Sequence, residues 1–442
     1  MENKGISALG LTMLALGTVV GGSFFLGSAI PIKASGPAVL IAYLLGGGLI
    51  YLILFALSEM TVADNTPGSF RTFAERAFGP SVGFVVGWVY WTGLVLAMSS
   101  EATAVSILIR GWIPKISLPL LGSIIIVLIT LINLIGTDRL SKLESGLAAI
   151  KLLSIIGFIF LAFILITGLL PNKAPVGIGE LNREPFFPGG ISGIAGSMLI
   201  VIFTYAGFEI IGLAASETAN PHRDVPKAIT YTVLGLVGLY TTAIALLLPL
   251  IQTKELTEEV SPMVAALKLN GIHWAAKGMN IVLVTAILST MLAATFGLGR
   301  MLRSLADEGY APQWVKDKGD IPYRGIIFSG IAMLLAFALS FFLPEKIYVF
   351  LVSSGGFSLL LTYLIIVLTH YKFRKVHGCP PKGNCQLPGF PYTSWTAIVA
   401  LIIIIISMPL VPGQGPGLAA GIGLTLFYTL CYLISKYRNK KA

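Results

Sequence analysis

The stretch GTVVGGSFF, residues 17–25, lies in the middle of the first long apolar segment and is the main indication of the fold. Leucine would suit a helix there, yet the stretch contains three glycines and a serine. A glycine inside a helix costs about 1 kcal/mol relative to alanine. Unwound backbone at membrane depth is tolerated only where it is buried in protein or lines a cavity. The stretch therefore predicts an interrupted helix that presents backbone groups to the protein interior.

The composition is that of a membrane protein. Of 442 residues, 55% are hydrophobic and 11% are charged, with a mean hydropathy of +0.87, whereas soluble domains carry about 25% charged residues. A membrane-spanning helix needs roughly 20 apolar residues. We expect an all-α polytopic membrane protein with twelve apolar segments. The segments are residues 6–30, 37–62, 81–109, 118–136, 147–170, 191–215, 228–250, 279–302, 325–342, 347–371, 396–411 and 418–435.

The lysines and arginines predict the orientation. With the N-terminus inside, twenty of the thirty basic residues fall on the cytoplasmic side and nine fall outside, and Lys151 lies within a segment. Because cytoplasmic loops carry the excess of Lys and Arg, we expect a cell-membrane protein with both termini in the cytoplasm. The net charge of +10 then reflects contact with anionic lipid of the bilayer and requires no nucleic acid.

The order of the segments predicts an internal repeat. Residues 1–170 hold five segments, residues 191–371 hold five more, and residues 396–442 hold a final pair with a tail. A unit with an odd number of spans makes the next unit enter from the opposite side, as in transporters with inverted repeats. The sixth segment carries a matching interruption, FTYAGFEII, residues 203–211. Paired interruptions in corresponding segments indicate a transporter binding site.

The two interruptions suit the charged head group of an α-amino acid. N–H groups at the start of a half-helix favour a carboxylate, and carbonyls at the end of the preceding half-helix favour an ammonium. The first role falls to residues 21–23, and the second to the carbonyls of Val19, Phe203 and Ala206. Aromatic rings beside the second break could close over a ligand, or could simply pack. The predicted binding residues at the breaks are Val19, Gly21, Gly22, Ser23, Phe203, Tyr205, Ala206 and Gly207.

These stretches resemble the amino acid–polyamine–organocation superfamily, in particular its bacterial amino acid permeases. GTVVGGSFFLGSA is similar to the first-helix pattern G-x-x-x-G-[ST]-G-[IL]-F, and FTYAGFEIIGLAASETANPHRDVPKAI to the sixth helix and its loop. TDRLSKLESGLAAIKLL and RMLRSLADEGYAPQWVKDKGDIPYRGI resemble the entry to helix five and the loop after helix eight. The resemblance implies a five-plus-five inverted repeat with discontinuous helices 1 and 6, alternating access, and amino acid transport without ATP. One departure is Gly22-Ser23, where the family usually has a hydroxyl residue and then glycine.

Lys151 allows two interpretations. It lies about four residues, ~6 Å, from the predicted cytoplasmic edge of its segment, so its side chain could snorkel to the lipid headgroups. In similar permeases, a lysine at the matching place lies beside the first-helix break, where sodium-coupled relatives bind their cation. Because burial makes a lysine lose its proton easily, Lys151 could replace sodium or carry a proton. We expect proton coupling rather than plain exchange.

Two carboxylates fall within the segments. Glu101 is three residues from Met98, so both lie on one helix face, which the resemblance places near the pocket. Met98 is therefore a candidate substrate contact. Glu101 is a candidate ion-coupling residue that could also bind a polar substrate or form an ion pair within the protein. Glu209 directly follows the second break, where we expect it to brace the structure by accepting freed N–H groups.

Other classes of protein fit less well. An intramembrane enzyme would need clustered His or acidic pairs, yet none of the four histidines lies deep in a segment. Cys379 and Cys385 lack the ligand partners of a zinc site. We expect no catalytic residue, metal or cofactor. A channel would need an open pore lined by charges or carbonyls. The expected function is import of an L-amino acid by a monomer acting as a proton symporter, with an exchanger or a sensor as the alternatives.

Overall fold

The computed structural model describes residues 7–63, 69–135, 137–171, 173–208, 211, 218, 220–317, 319, 321–342, 347–379 and 386–441. These residues form mainly α-helices, joined by turns, short 3-10 helices and loops. In chain order the helices are α1 (Ala8–Val19), α2 (Gly22–Phe25), α3 (Ala29–Ser35), α4 (Val39–Ala63), α5 (Ser69–Phe78), α6 (Pro80–Arg110), α7 (Leu118–Asn133), α8 (Thr137–Thr167), α9 (Gly190–Thr204), α10 (Pro221–Leu247), α11 (Pro262–Leu269), α12 (His273–Asp307), α13 (Tyr323–Phe337), α14 (Ile347–His377), α15 (Tyr392–Ser407) and α16 (Gln414–Lys441).

The helices are those of a polytopic membrane protein. Within the described part of the chain, nine helical stretches are long and apolar enough to cross a membrane. Three shorter apolar helices, α1, α7 and α9, accompany them. They fall in the first, fourth and sixth predicted segments. The all-α polytopic class is confirmed, whereas twelve crossings remain a prediction, because these three helices are shorter than the roughly 20 residues of a full span.

The first segment is interrupted at the predicted place. Helix α1 ends at Val19, and α2 begins at Gly22. Between them Val20 and Gly21 are both extended, with φ/ψ of −72°/106° and −143°/−166°. The interruption leaves the N–H groups that start α2 without partners in the preceding turn. Those groups must therefore be satisfied by other parts of the protein.

The sixth segment also stops being helical at its glycine. Helix α9 ends at Thr204, and residues 205–208 form turns. Gly207 has φ +105°, a backbone conformation that side chains with a Cβ rarely adopt. Glu209, the predicted brace, lies outside the described residues. The described backbone therefore establishes the end of α9 and the turn after it.

Most of the helices pack in two groups. In the first group α10 lies against α4 and α1, and α9 lies against α4 and α3. In the second group α12 lies against α6, α7 and α13, and α6 also contacts α7 and α13. The short helix α2 contacts α9 of the first group as well as α6 and α12 of the second. The first break therefore lies where the two groups meet.

A buried ion cluster joins α4 to α14. Both carboxylate oxygens of Glu59 accept hydrogen bonds from Arg374 Nη1 at 3.2 Å, and His370 Nε2 lies 2.6 Å from Oε2. The backbone N–H of Leu387 donates to Glu59 Oε1 at 2.6 Å. The side chains of Glu59 and His370 are both fully buried. Removing one member of such a cluster leaves a buried charge without compensation, so the cluster anchors the chain that precedes α15.

Candidate functional site

The N–H groups at the start of α2 hold a carboxylate of the protein itself. Gly22 N–H donates to Glu101 Oε2 at 2.9 Å, and Ser23 N–H donates to Oε1 at 3.3 Å. Glu101 lies in α6 and is 4% exposed. Two of the three N–H groups predicted to receive the substrate carboxylate are thus engaged by Glu101. The break can bind a carboxylate group, because it does so here.

The opposite end of the break faces a buried lysine. Lys151 Nζ donates to the carbonyl of Gly17 at 2.9 Å and to Thr290 Oγ1 at 2.8 Å. Thr290 Oγ1 in turn donates to the carbonyl of Val20 at 3.1 Å. Lys151 is 0% exposed, which is inconsistent with a side chain that snorkels to the headgroups. The ammonium therefore lies beside the first-helix break.

Thr290 is a site residue that the sequence analysis did not identify. It lies in α12 and links Lys151 to the break through one hydroxyl. Several apolar segments contain threonines and serines, and in most of these positions the hydroxyl bonds a carbonyl of its own helix. No local pattern distinguishes Thr290 from them. Its role depends on how α12 packs against α1 and α8.

The glycines of the first break allow these close contacts. A Cβ on Gly22 would lie 2.4 Å from Glu101 Oε2, and a Cβ on Gly21 would lie 3.2 Å from Thr290 Oγ1. Ser23, which stands where the family usually has glycine, is 6% exposed and still donates its N–H to Glu101. The shifted hydroxyl therefore leaves the backbone donor intact.

The second break touches the first. Thr18 Oγ1 lies 3.4 Å from the carbonyl oxygen of Gly207, and a Cβ on Gly207 would lie 3.3 Å from the carbonyl oxygen of Thr18. Val19 is buried, and its Cα would lie 3.4 Å from that same Cβ. The carbonyl of Phe203 accepts the N–H of Ala206 at 3.1 Å within the turn. The two interruptions therefore lie side by side.

The aromatic side chains near the breaks form a cluster. Tyr205 donates its hydroxyl to the carbonyl of Tyr43 at 3.1 Å, and its ring lies 5.4 Å from that of Tyr240. Phe24 of α2 stacks on Tyr240 at 3.8 Å between ring centroids. The cluster connects α2 with α4, α10 and the second break. The structure thus directs the Tyr205 ring toward this cluster, whereas Met98 is buried in α6 one turn before Glu101.

The titratable residues of the described chain offer little for metal binding. No group of three or more His, Cys, Asp or Glu side chains that could hold a metal ion occurs among them. Among the described residues, Glu101 and Lys151 supply buried charges near the first break, and both are engaged with backbone groups. Such an arrangement can bind charged groups of a ligand.

The chain is similar to amino acid permeases over nearly its full length. The family model described as amino acid permease matches residues 10–441. The chain is 32% identical over 434 residues to the gamma-aminobutyric acid permease of Bacillus subtilis, covering 97% of this chain and 92% of that relative. It is 31% identical over 417 residues to the gamma-aminobutyric acid permease of Escherichia coli, covering 93% and 89%. It is 30% identical over 419 residues to the aromatic amino acid transport protein AroP of Shigella flexneri, covering 93% and 91%.

The family match and the named relatives define the chain as a membrane transporter and not an enzyme. The chain belongs to the amino acid permease family. This confirms the resemblance that the first and sixth segments carry, and it identifies the substrate class as amino acids.

Proposed function

We propose that this permease is a secondary active transporter that imports an L-amino acid across the cell membrane by alternating access, driven by protons. The observation that carries the proposal is the pair of adjoining helix breaks between two helix groups, with Lys151 and Glu101 on opposite ends of the first break. Binding energy at such a place can be coupled to relative movement of the groups.

The packing supports an inverted repeat. The first group contains helices from predicted segments one, two, six and seven, and the second contains segments three, four, eight and nine. Each group therefore draws corresponding segments from both units of five, residues 1–170 and 191–371. Residues 396–442 would add two peripheral helices. We propose twelve crossings with both termini cytoplasmic.

The substrate site proposed is the junction of the two breaks. The substrate carboxylate would bind the N–H groups of residues 21–23, and its ammonium would bind the carbonyls of Val19, Phe203 and Ala206. Gly207 gives close access at the second break, Met98 lines the α6 side, and Tyr205 supports the wall through the aromatic cluster. The relatives are named for gamma-aminobutyric acid and aromatic amino acids. All of these compounds carry one carboxylate and one ammonium, which supports a neutral zwitterion as the substrate.

Lys151 is the proposed coupling residue. Its ammonium donates hydrogen bonds to the Gly17 carbonyl and the Thr290 hydroxyl beside the break. Gain or loss of a proton on Lys151 therefore changes the hydrogen bonds that stabilise the interrupted helix. Glu101 is the second proposed titrating group. An exchanger without ion coupling is the alternative, because the same site could shuttle one amino acid for another.

Uptake into proteoliposomes tests the proposal. Radiolabelled amino acids, including gamma-aminobutyric acid and L-phenylalanine, are offered with and without an inward proton gradient, and protein-free liposomes serve as the control. A symporter accumulates substrate only with the gradient. Uptake that requires amino acid inside the vesicles and ignores the gradient would establish exchange. Binding in detergent without any uptake would indicate a sensor and would contradict transport.

A further inference from the structure

Glu101 and the proposed substrate carboxylate need the same hydrogen-bond donors. The N–H groups of Gly22 and Ser23 each have one hydrogen to donate, and each already donates to a Glu101 oxygen. Both oxygens of Glu101 face this backbone, and the side chain is buried. A second carboxylate at this place would also lie against a like charge, which is unfavourable in a poorly solvated interior. Glu101 and the substrate carboxylate therefore cannot occupy these N–H groups together.

We propose that Glu101 is an internal competitor for the carboxylate subsite, so that an amino acid binds only after the Glu101 carboxylate has left the N–H groups of Gly22 and Ser23. This inference rests on the proposed function. It predicts the direction in which Glu101 changes substrate affinity. The Glu101 carboxylate weakens substrate binding, whereas a residue that bound the substrate ammonium would strengthen it.

The competition also links substrate binding to protonation. A neutral carboxyl group is a weaker acceptor than a carboxylate, because charge-assisted hydrogen bonds are roughly twice as strong as neutral ones. A proton on Glu101 therefore releases the donors for the substrate. Beyond the backbone, the titratable groups that interact with Glu101 are Lys151 of α8, Tyr240 of α10 and Tyr348 of α14. Of these, Lys151 is the only cation, and it attracts the displaced carboxylate. Substrate affinity should rise as the pH falls.

The test compares equilibrium binding by Glu101→Gln with binding by the wild-type transporter. The probes are gamma-aminobutyric acid and the twenty standard amino acids, each radiolabelled, and the probe that binds wild type most tightly is then titrated. Glutamine is close in size to glutamate but carries no charge, so it competes less well. We expect Glu101→Gln to tighten binding about tenfold, which corresponds to about 1.4 kcal/mol. Glu255→Gln, which removes an exposed carboxylate away from the breaks, should leave the affinity unchanged.

The pH dependence gives a second measurement that does not depend on the folding of a variant. From about pH 8 to about pH 5, the range above the normal carboxyl pKa, wild-type affinity should increase. In Glu101→Gln the increase should be absent or much smaller. The primary amide of the same amino acid, which lacks the competing carboxylate, should show no comparable gain in the wild type.

The possible outcomes distinguish failure of the competitor role of Glu101 from failure of the proposed transport function. Equal or weaker binding by folded Glu101→Gln would overturn the competitor role and leave the proposed transport function standing. If that variant does not fold, a wild-type affinity that stays constant or falls on acidification would overturn the role instead. No binding of any probe to either protein would contradict the proposed function itself, and the competitor role would fall with it.

Discussion

Replacing Gly22 by alanine tests the geometry of the first break most directly. The new Cβ would lie 2.4 Å from Glu101 Oε2, and 3.1 Å and 3.2 Å from two side-chain carbons of Ile287. Ordinary van der Waals contact begins near 3.4 Å, so the carboxylate must recede by about 1 Å. Its hydrogen bond with Gly22 N–H, 2.9 Å long, would then exceed the roughly 3.2 Å limit of a normal N–H···O bond. The substitution should thus break one of the two hydrogen bonds that hold the Glu101 carboxylate.

The expected change in the free energy of unfolding follows from two opposing effects. Loss of a hydrogen bond to a charged group costs about 1.5–3 kcal/mol. Alanine favours the helix over glycine by at most about 1 kcal/mol, and this gain is smaller at the first helical residue. The net destabilisation should be about 1–2 kcal/mol. Gly48→Ala is the matched control, because a Cβ there meets nothing within 4 Å, and it should stabilise the protein slightly.

A double-mutant cycle with Glu101→Ala identifies the cause. Unfolding of the purified protein is followed by SDS titration in mixed micelles, for wild type, both single variants and the double variant. Without the carboxylate, Gly22→Ala should become nearly neutral, which gives a coupling energy of about 1–2 kcal/mol, in the range seen for residues in contact. An equal penalty with and without Glu101 would refute the reasoning and attribute the cost to Ile287 or to the backbone.

Three further predictions concern other parts of the molecule. Lys151→Ala should abolish the response of uptake to an imposed proton gradient, whereas exposed Lys277→Ala should retain it; an unchanged response in the first variant would make Lys151 purely structural. Gly207→Ala should destabilise the transporter by about 1–3 kcal/mol in the same SDS titration, because residues with a Cβ are strained at φ +105°, while Gly238→Ala, with open space around it, should not. Burial raises the pKa of Glu258, which lies outside the membrane helices, so its contribution to stability is lost as the pH rises through that raised pKa. Glu258→Gln should therefore be more stable than wild type at neutral pH and equally stable near pH 4. Equal stability at both pH values would contradict this prediction.

Some residues of the candidate site could be predicted from the sequence, and others could not. The interruption at residues 20–21 was predicted because glycine weakens a helix wherever it lies, and this property needs no knowledge of neighbours. Lys151 was recognised because a basic residue inside an apolar segment is costly. Thr290 was not recognised, because a threonine in an apolar helix usually bonds its own backbone. The packing partners of Tyr205, Tyr43 and Tyr240, could not be predicted because they lie far from it in the sequence.

By itself, the sequence determined that this chain is a polytopic helical membrane protein with a weakened first helix, because composition, segment length and glycine placement are local properties. Its motifs carried the resemblance to permeases. Only the tertiary structure decided which side chain meets each exposed backbone group. Glu101 lies 79 residues from Gly22, and Lys151 lies 134 residues from Gly17. Helices that are apolar on all sides carry no periodic signal of the face they turn inward, so their rotation and partners follow only from packing against one another.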